Sequence, residues 1–287
     1  MFLLYVNDIS NISENLSYIL FADDTNIFVS GKSLSDISEM LNYELALINE
    51  WLQINKLSLN IAKTQYMIMS SQRKRYNPND CNISINGHNI DRVDNTKFLG
   101  IIIDDKLTWK LHVEYVCNKV SKGIGILRRA RQLLYGETLL TLYDTLIKPH
   151  FTYCITIWGN TYKTYIQRLH ILQKKVVRII SHSEFSAHTA PLFEKHNVMN
   201  IYELYQYFVG IFVFKSLHRE LPESLCNIFH RNTNLRNSMN LQSVYRKKKI
   251  CQFSIIISGP KIWNNFPTNV KICKSLNCFK RSLKKYL

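Results

Sequence analysis

The chain has 287 residues, of which 46% are hydrophobic and 12% aromatic. This composition is typical of one large or two ordinary globular domains, and it excludes a disordered chain. The longest strongly apolar run, residues 207–214, is much shorter than the roughly 20 residues that cross a bilayer. The first ten residues lack the basic leader of a signal peptide. We therefore expect an intracellular protein, nuclear or cytoplasmic, that is not secreted and has no transmembrane segment.

The distribution of charge is more informative than the net charge of +16. Residues 1–60 carry 2 Lys and Arg against 8 Asp and Glu, a net charge of −6. Residues 111–287 carry 27 against 8, a net charge of +19. An acidic start followed by a long basic remainder indicates a polyanionic partner for the second part, although solvated lysines alone would give the same composition.

The seven cysteines are scattered along the chain without a CxxC pair. An odd number without paired spacing argues against both a zinc site and a disulfide framework. The sequence therefore predicts a reduced protein.

The first predicted elements are a hairpin and a helix. Residues 18–30 have the pattern of a β-hairpin, with apolar strands on either side of a polar turn formed by Asp23 and Asp24. Apolar residues at spacings of three and four then predict an amphipathic helix over 33–55. Ser33, with an acidic residue three positions later, is expected to start this helix as a capping box.

The next 50 residues predict further strands. Residues 56–70 alternate like a strand, and the polar stretch 71–80 is typical of a surface loop. Asn86-Gly87 between apolar residues is a strong signal for a two-residue hairpin turn. A buried strand is expected over 98–104.

After Trp109 the pattern becomes helical. A proline, Pro149, is expected to stop the second helix. The predicted helices and the short basic helix at the end cover residues 112–134, 137–147, 166–180, 201–220 and 279–287. The fold class is therefore α+β, with α+β character up to about residue 110 and mostly helices beyond it.

The adjacent carboxylates Asp23 and Asp24 pose a chemical question, because two like charges repel each other. A divalent cation with oxygen ligands, such as Mg²⁺, relieves that repulsion. Nucleotidyl transfer uses such a site, in which metal ions activate the attacking hydroxyl and stabilise the leaving pyrophosphate. A solvated turn is the alternative. The second pair, Asp104 and Asp105, is interpreted as a turn.

The block FADDTNIFVSG resembles the FADD-type catalytic motif of reverse transcriptases from non-LTR (LINE-like) retrotransposons. Other blocks resemble the same family in the same order: FLLYVNDIS, NEWLQINKLSLN, LNIAKTQYMIMS and KFLGIIIDDKLTW. The blocks that resemble its thumb and C-terminal region are LYDTLIKPHFTYCITIWGN, GPKIWNNFP and FKRSLKKYL. The resemblance covers essentially the whole chain.

The resemblance implies an RNA-directed DNA polymerase with three regions in this chain. Residues 1–110 would form part of a right-hand palm, made of antiparallel hairpins and a helix. Residues 111–185 would form a helical thumb-like region, and residues 186–287 a basic helical C-terminal region.

The resemblance also assigns roles to individual residues. Asp23 and Asp24 would be catalytic and would bind metal, with two Mg²⁺ ions in the intact parent enzyme. Lys63 would be a catalytic residue near the phosphates of the incoming dNTP. The primer grip would consist of Phe98, Leu99 and Gly100. The basic residues that would contact an RNA template and a DNA primer are Arg128, Arg129, Arg131, Lys174, Lys175 and Arg178.

Part of the family's machinery lacks a counterpart. The palm uses a further metal-binding aspartate on an upstream strand, but this chain starts 22 residues before Asp23, and Asp8 does not fit that pattern. The fingers are also missing. We therefore expect the C-terminal half of such an enzyme, with weak Mg²⁺ binding and no polymerase activity alone. The alternatives are a non-catalytic nucleic-acid-binding remnant and a remnant that folds poorly because its sheet edges are uncovered.

Overall fold

A computed structural model describes residues 2–70, 81–232, 239–247 and 249–287. The strands lie within residues 17–104 and helices dominate the rest, so the chain is α+β, as the sequence predicts. The chain forms two compact units. Unit 1 contains the described residues up to 96 together with 104–106, and unit 2 contains 97–103 together with the described residues from 107 to 287.

The elements up to residue 104 are short apart from one helix. In chain order they are α1 (Phe2–Val6), a 3-10 helix (Asn7–Asn11), β1 (Ser17–Phe21), β2 (Asp24–Phe28), α2 (Leu34–Ile54), a 3-10 helix (Ile61–Lys63), β3 (Gln65–Tyr66), β4 (Ser84–Ile85), β5 (His88–Asn89), β6 (Asp91–Arg92), β7 (Asn95–Phe98) and β8 (Ile101–Asp104). The strands pair in twos: β1 with β2 and β4 with β5 are antiparallel, β3 with β6 is parallel, and β7 pairs with β8.

Helix α2 supports the core of unit 1. Its buried side chains, including Leu45 and Ile48, join a cluster with Ile83 and Ile85 around strand β4. Asn42 also fixes this strand, because its amide nitrogen donates to the carbonyl of residue 82 (2.9 Å) and its oxygen accepts from the backbone N–H of residue 84 (2.9 Å). The observed bounds, Leu34–Ile54, confirm the helix predicted over 33–55.

Two local predictions around helix α2 need correction. Ser33 is the N-cap residue of α2, but its hydroxyl makes no cap hydrogen bond and lies 2.6 Å from the hydroxyl of Ser35. The strand predicted over 56–70 is mostly absent, because Asn60 begins a 3-10 turn and its side chain accepts from the backbone N–H of Lys63. Such side-chain bonds compete with strand pairing. The loop predicted over 71–80 lies outside the described residues.

The second predicted hairpin is confirmed. Asn86 and Gly87 connect β4 and β5 with φ values of 51° and 76°. Positive φ at both central residues is the pattern of a type I′ turn, which follows the twist of the two strands.

Unit 2 is built from helices. In chain order these are α3 (Lys110–Ala130), α4 (Gly136–Leu146), α5 (Lys148–Thr152), α6 (Ile155–Trp158), α7 (Lys163–Ile180), α8 (Ala190–Lys195), α9 (Ile201–Leu217), α10 (Glu223–Cys226), α11 (Lys249–Gln252), α12 (Ile255–Asn265), α13 (Thr268–Lys271) and α14 (Leu276–Tyr286). Pro149 lies in the first turn of α5, so α4 ends just before it, as predicted. In the part of the chain that the structure describes, each helix is too short or too polar to cross a bilayer.

One hydrophobic core runs through unit 2. Helix α3 packs along α7, while α9 contacts α6, α12 and α14. Helix α9 is apolar around most of its circumference, as expected of a helix covered on several sides. The core therefore includes side chains on both sides of residue 185, where the sequence predicts a boundary; the three-region division stays a prediction.

The close approach of α3 to Ile147 gives a test of this packing. We expect Gly123→Ala to lower the free energy of unfolding by about 1–3 kcal/mol, because overfilling a packed core costs that much. The added Cβ would lie 2.6 Å from Cγ1 of Ile147, whose side chain is buried. Urea unfolding measures the effect.

Gly125 provides the matched control on the same helix. A Cβ added there meets nothing within 4 Å, so Gly125→Ala should be neutral or should stabilise the helix by up to about 1 kcal/mol. Equal losses of stability in the two variants would contradict the packing assigned to α3.

Candidate catalytic hairpin and basic helical surface

The turn of the first hairpin lies one residue earlier than predicted. In the register of β1 and β2, Phe21 is paired with Asp24, so the turn residues are Ala22 and Asp23, and Asp24 begins the second strand. Ala22 has a φ of 52°, and positive φ at the first turn position is the pattern of a type II′ turn. The sequence signal was misleading because this position usually holds glycine, not alanine.

This shift places Asp24 on the open face of the hairpin. Side chains alternate between the faces of a strand pair, so Asp24 shares a face with its partner Phe21 and with Ile19. Phe21 is 56% exposed and Ile19 is 52% exposed. The opposite face, which includes Tyr18, packs against the core of unit 1. The Asp24 carboxylate therefore lies beside an exposed apolar surface, and Asp23 lies at the exposed turn.

The two carboxylates could supply part of a magnesium site. Both side chains are exposed, and in the described chain neither forms a salt bridge. Within the residues that the structure describes, no group of three or more His, Cys, Asp or Glu side chains could hold a metal ion. Mg²⁺ commonly binds through one or two carboxylates together with water and substrate phosphates. Asp23 and Asp24 therefore fit an incomplete, oxygen-only site.

Lys63 lies in unit 1 at the end of the 3-10 helix, where its side chain is exposed. Its backbone N–H donates to the Asn60 side chain (3.2 Å), and the Thr64 hydroxyl donates to the Asn60 carbonyl (2.9 Å). The backbone is thus well fixed, but the described chain shows no ion pair between Lys63 and Asp23 or Asp24. Its catalytic role stays a prediction.

The second pair, Asp104 and Asp105, is built differently from the first. Asp104 ends strand β8 and is buried, and the Asp105 carboxylate forms an ion pair with Lys106 at 2.9 Å. The Asp105 backbone N–H donates to the Asp94 carbonyl (2.9 Å). These contacts give the pair a structural role at the end of a strand.

The predicted primer grip is the turn between β7 and β8. Leu99 and Gly100 occupy this turn with φ values of 46° and 83°, so both residues are in the left-handed region. The Tyr153 hydroxyl donates to the Leu99 carbonyl (2.6 Å), and a Cβ at Gly100 would lie 3.4 Å from the Tyr153 ring. We call Phe98, Leu99 and Gly100 the FLG turn.

A buried histidine holds the strand that leaves the FLG turn. Nδ1 of His112 accepts from the backbone N–H of Ile102 (3.3 Å), and its ring packs edge-on against Trp158 at 5.3 Å between centroids. Burial lowers the pKa of His112 to about 4, because a charged imidazolium would lose its hydration there. A neutral ring is also what the bond requires, since only unprotonated Nδ1 can accept it.

Two lysines of unit 2 lie over the same aromatic ring, and one of them, Lys97, immediately precedes the FLG turn. Nζ of Lys97 lies 5.4 Å from the centroid of the Tyr115 ring, and Nζ of Lys119 lies 5.5 Å from it. Both lysines are exposed, and the charge of Lys119 adds to burial in lowering the pKa of His150. Two exposed cations held beside an aromatic ring form a surface suited to a phosphate backbone with unstacked bases.

The six basic residues predicted to bind nucleic acid lie in different surroundings. Arg128 and Lys175 line a groove of about 220 Å³ between α3 and α7. Lys174 instead lines a cavity of about 510 Å³ together with His170 and Glu203. Arg129 is exposed on α3.

Arg131 and Arg178 hold the loop after α7. Arg131 donates to Nδ1 of His182 and to the Ser183 carbonyl, both at 3.5 Å. Arg178 donates to the Ala187 carbonyl (2.9 Å), and its guanidinium lies 5.8 Å from the centroid of the Phe185 ring. These contacts give both arginines a structural role, while their role in binding nucleic acid stays a prediction.

Sequence reasoning did not select Lys97, Tyr115, Lys119 or Tyr153. A signal was available for two of them, because Tyr115 and Lys119 are four residues apart and therefore lie on one face of a helix. Tyr153 gave none, since its contact with the FLG turn joins residues that are 54 positions apart.

The chain is similar to proteins of mobile genetic elements. It is 24% identical over 165 residues to the RNA-directed DNA polymerase from mobile element jockey of Drosophila funebris, covering 56% of this chain and 18% of that protein. It is 23% identical over 187 residues to the probable RNA-directed DNA polymerase from transposon X-element of Drosophila melanogaster, covering 64% of this chain and 20% of that protein. A third relative is the Pol polyprotein of retrotransposable element R1 from Bradysia coprophila, 27% identical over 146 residues, or 50% of this chain and 14% of the relative.

These comparisons confirm the resemblance to non-LTR retrotransposon polymerases over about half of the chain. The chain matches 14–20% of the length of these three relatives. No protein-family profile matches the chain. No solved structure matches it either.

The buried His112 predicts a pH dependence of stability. Its pKa is about 4 in the folded chain and near 6.5 when unfolded, so the unfolded chain binds more protons between these values. The free energy of unfolding should therefore fall as the pH drops from about 6.5 towards 4. Burial also lowers the pKa values of His150, His170 and His196, which add to the same trend.

Denaturant unfolding between pH 4 and 7.5 measures this dependence. The variant His112→Gln keeps an acceptor for the Ile102 N–H but does not titrate, so its profile should be flatter. His188→Gln is the control, because His188 is exposed. If the profile of His112→Gln has the same slope as the parent profile, the role assigned to His112 is wrong.

Proposed function

We propose that the chain is part of the RNA-directed DNA polymerase of a non-LTR retrotransposon. In this proposal it contributes the FADD hairpin of the palm and a basic helical surface that binds template and primer. The observation that carries the proposal is the hairpin that displays Asp23 at its turn and Asp24 at the start of its second strand, in a chain whose relatives are RNA-directed DNA polymerases.

Asp23 and Asp24 are the proposed ligands of the catalytic Mg²⁺ ions. When bound, such ions lower the pKa of an attacking 3′-hydroxyl and stabilise the leaving pyrophosphate. The protein's own contribution is to display two carboxylates from a short antiparallel hairpin, which fixes their spacing. Lys63 is proposed to stabilise the phosphates of the incoming nucleotide as a point charge.

In this proposal the hairpin supplies two carboxylates of the site, and the chain matches 14–20% of the length of its relatives. We therefore propose that these 287 residues bind metal weakly and do not polymerise DNA on their own. A missing ligand leaves a metal poorly positioned, and small errors in position strongly slow a reaction.

A second candidate function is nucleic-acid binding without catalysis. It is favoured by the distribution of the basic groups, since Lys97, Lys119, Arg128 and Lys175 all belong to unit 2. None of them depends on the carboxylates of unit 1. An RNA–DNA hybrid duplex is the proposed ligand, because a template paired with a growing DNA strand has that form.

Salt dependence tests the proposed binding surface. We expect the affinity for an RNA–DNA hybrid duplex to fall steeply with salt, and the double variant Lys97→Ala, Lys119→Ala to reduce the slope of log K against log salt by about 2. The control Lys195→Ala, Lys261→Ala removes the same charge from exposed positions on α8 and α12. Equal slopes for the two double variants would contradict the assignment of Lys97 and Lys119.

Paramagnetic broadening by Mn²⁺ tests the proposed metal site without requiring activity. Low concentrations of Mn²⁺ should selectively broaden the amide NMR signals of residues 21–26, and Asp23→Asn with Asp24→Asn should abolish the effect. Asp36→Asn, an exposed carboxylate on α2, is the control and should leave it unchanged.

Broadening that persists in the double variant would refute the metal site. A primer-extension assay on an RNA template tests the other half of the proposal. Magnesium-dependent extension by this chain, lost in Asp23→Ala, would refute its inactivity while supporting the catalytic role of the hairpin.

A further inference from the structure

Two cysteines meet where α13 is joined to α14. Cys273 follows the end of α13, and Cys278 lies in the first turn of α14, where its backbone N–H donates to the Ser275 side chain. Their Sγ atoms are 3.2 Å apart, against about 2.05 Å in a covalent disulfide. Among the described residues, this is the one cysteine pair with a recorded contact between sulfur atoms.

The two thiols differ in their surroundings. Cys273 is 8% exposed, and its Sγ lies 3.6 Å from the Ser282 hydroxyl and 3.8 Å from the Asn269 carbonyl. Burial raises the pKa of the Cys273 thiol, which keeps it protonated and slow to react with a dissolved oxidant. Cys278 is exposed. A soluble oxidant therefore reacts with Cys278 first, and the Cys273 sulfur already lies within reach of the oxidised Cys278.

We propose that Cys273 and Cys278 form an oxidisable dithiol site that closes to a disulfide when the chain meets a hydroperoxide. The Cys278 thiolate attacks the terminal OH oxygen of the hydroperoxide, the O–O bond breaks, and Cys278 becomes a sulfenic acid as alkoxide leaves (hydroxide when the oxidant is hydrogen peroxide). The Cys273 sulfur then attacks the Cys278 sulfur, the S–O bond breaks, and the thiol proton departs with the oxygen as water. The two thiols lose two electrons, and the peroxide gains them.

Closure would connect the start of α14 to the end of α13. The residue after Cys278 is Phe279, which is fully buried and stacks on Phe214 at 4.6 Å and on Trp263 at 5.7 Å between ring centroids. The disulfide would thus fix the N-terminal end of α14, a helix that Phe279 already anchors in the core. The same helix carries four basic residues, of which all but the half-buried Lys280 are exposed: Lys280, Arg281, Lys284 and Lys285. Oxidation would hold this basic helix in place.

The site is compatible with the reduced protein expected from the sequence. Disulfides in reducing compartments are mostly transient and form in response to oxidants. Cys273 and Cys278 are five positions apart and do not form a CxxC motif, so the sequence gives no sign of the pair. The turn between α13 and α14 brings their sulfur atoms together.

Peptide mass spectrometry of the full chain tests the proposal directly. Trypsin cleaves after Lys271, Lys274 and Lys280, so the two cysteines fall in separate peptides, 272–274 and 275–280. Treatment with a small excess of hydrogen peroxide, quenching and non-reducing digestion should yield these peptides as one disulfide-linked species. A reducing agent should release both. Absence of the linked species, with both thiols still open to alkylation, would overturn the proposal.

Three variants separate the site from general cysteine oxidation. Cys278→Ser should abolish the linked species, and Cys273→Ala should leave a Cys278 sulfenic acid that a sulfenic-acid-specific dione reagent traps. Cys251→Ser is the control, because Cys251 is partly exposed and makes no recorded contact with another cysteine. It should leave the linked species unchanged. If Cys278 forms disulfides with other cysteines in amounts equal to its disulfide with Cys273, the proposal of a specific pair is refuted.

Thermal unfolding gives a readout that does not rely on peptides. Closing the six-residue loop should raise the melting midpoint of the oxidised parent by roughly 4–8 °C, and reduction should reverse the change. The Cys278→Ser variant should show no such shift after the same treatment. None of these measurements involves nucleic acid, so they succeed or fail independently of the proposed polymerase function.

Discussion

The buried indole of Trp158 connects the two side chains that hold the FLG turn. Its Nε1–H donates to the Tyr153 carbonyl (2.9 Å), and the Tyr153 hydroxyl in turn donates to the Leu99 carbonyl. On its other side, Trp158 packs against His112, which accepts from the N–H of Ile102. A buried indole N–H without an acceptor would cost about 1–3 kcal/mol, so the Tyr153 backbone is fixed by Trp158. Both ends of the turn thus depend on one fully buried residue.

This arrangement explains how a leucine remains in a left-handed conformation. Positive φ at a non-glycine residue costs about 1–2 kcal/mol, and it persists where surrounding contacts over-determine the backbone. Leu99 meets that condition because the Tyr153 hydroxyl donates to its carbonyl. The neighbouring Gly100 adds no steric cost, because glycine adopts positive φ readily. A rigid turn would suit the primer grip that the family resemblance predicts, since a terminal hydroxyl must be held within a fraction of an ångström to react.

The features that the sequence predicted correctly are those with short-range signals. The apolar spacing of α2 and of α7 follows one helix face, and Asn86-Gly87 predicts its own turn because both residue types tolerate positive φ. Predictions failed where a single residue changes the local path of the backbone. The positive φ at Ala22 moves the FADD turn by one residue, and the Asn60 side chain replaces a predicted strand by a 3-10 turn. Neither effect has a periodic pattern.

The candidate site shows the same limit. Asp23 and Asp24 were selected because the block FADDTNIFVSG around them resembles a FADD-type motif, whereas the acidic pair alone would also fit a solvated turn. The role of Tyr153 could not be found in this way, because its hydrogen bond joins positions 54 residues apart. The sequence also does not reveal which basic residues are held by nearby groups. Arg131 and Arg178 both bond to the loop after α7, and their role in binding nucleic acid stays a prediction.

The charges of the two units place different demands on a nucleic-acid ligand. A phosphate backbone is attracted to the exposed lysines around Tyr115 without any cofactor, since releasing counterions favours that contact. The same backbone is repelled by the exposed carboxylates of Asp23 and Asp24 until a divalent cation lies between them. Binding through unit 2 therefore needs no metal, whereas an approach of phosphates to the hairpin does. On the function proposed above, removing divalent cations should therefore leave the affinity of unit 2 for nucleic acid unchanged.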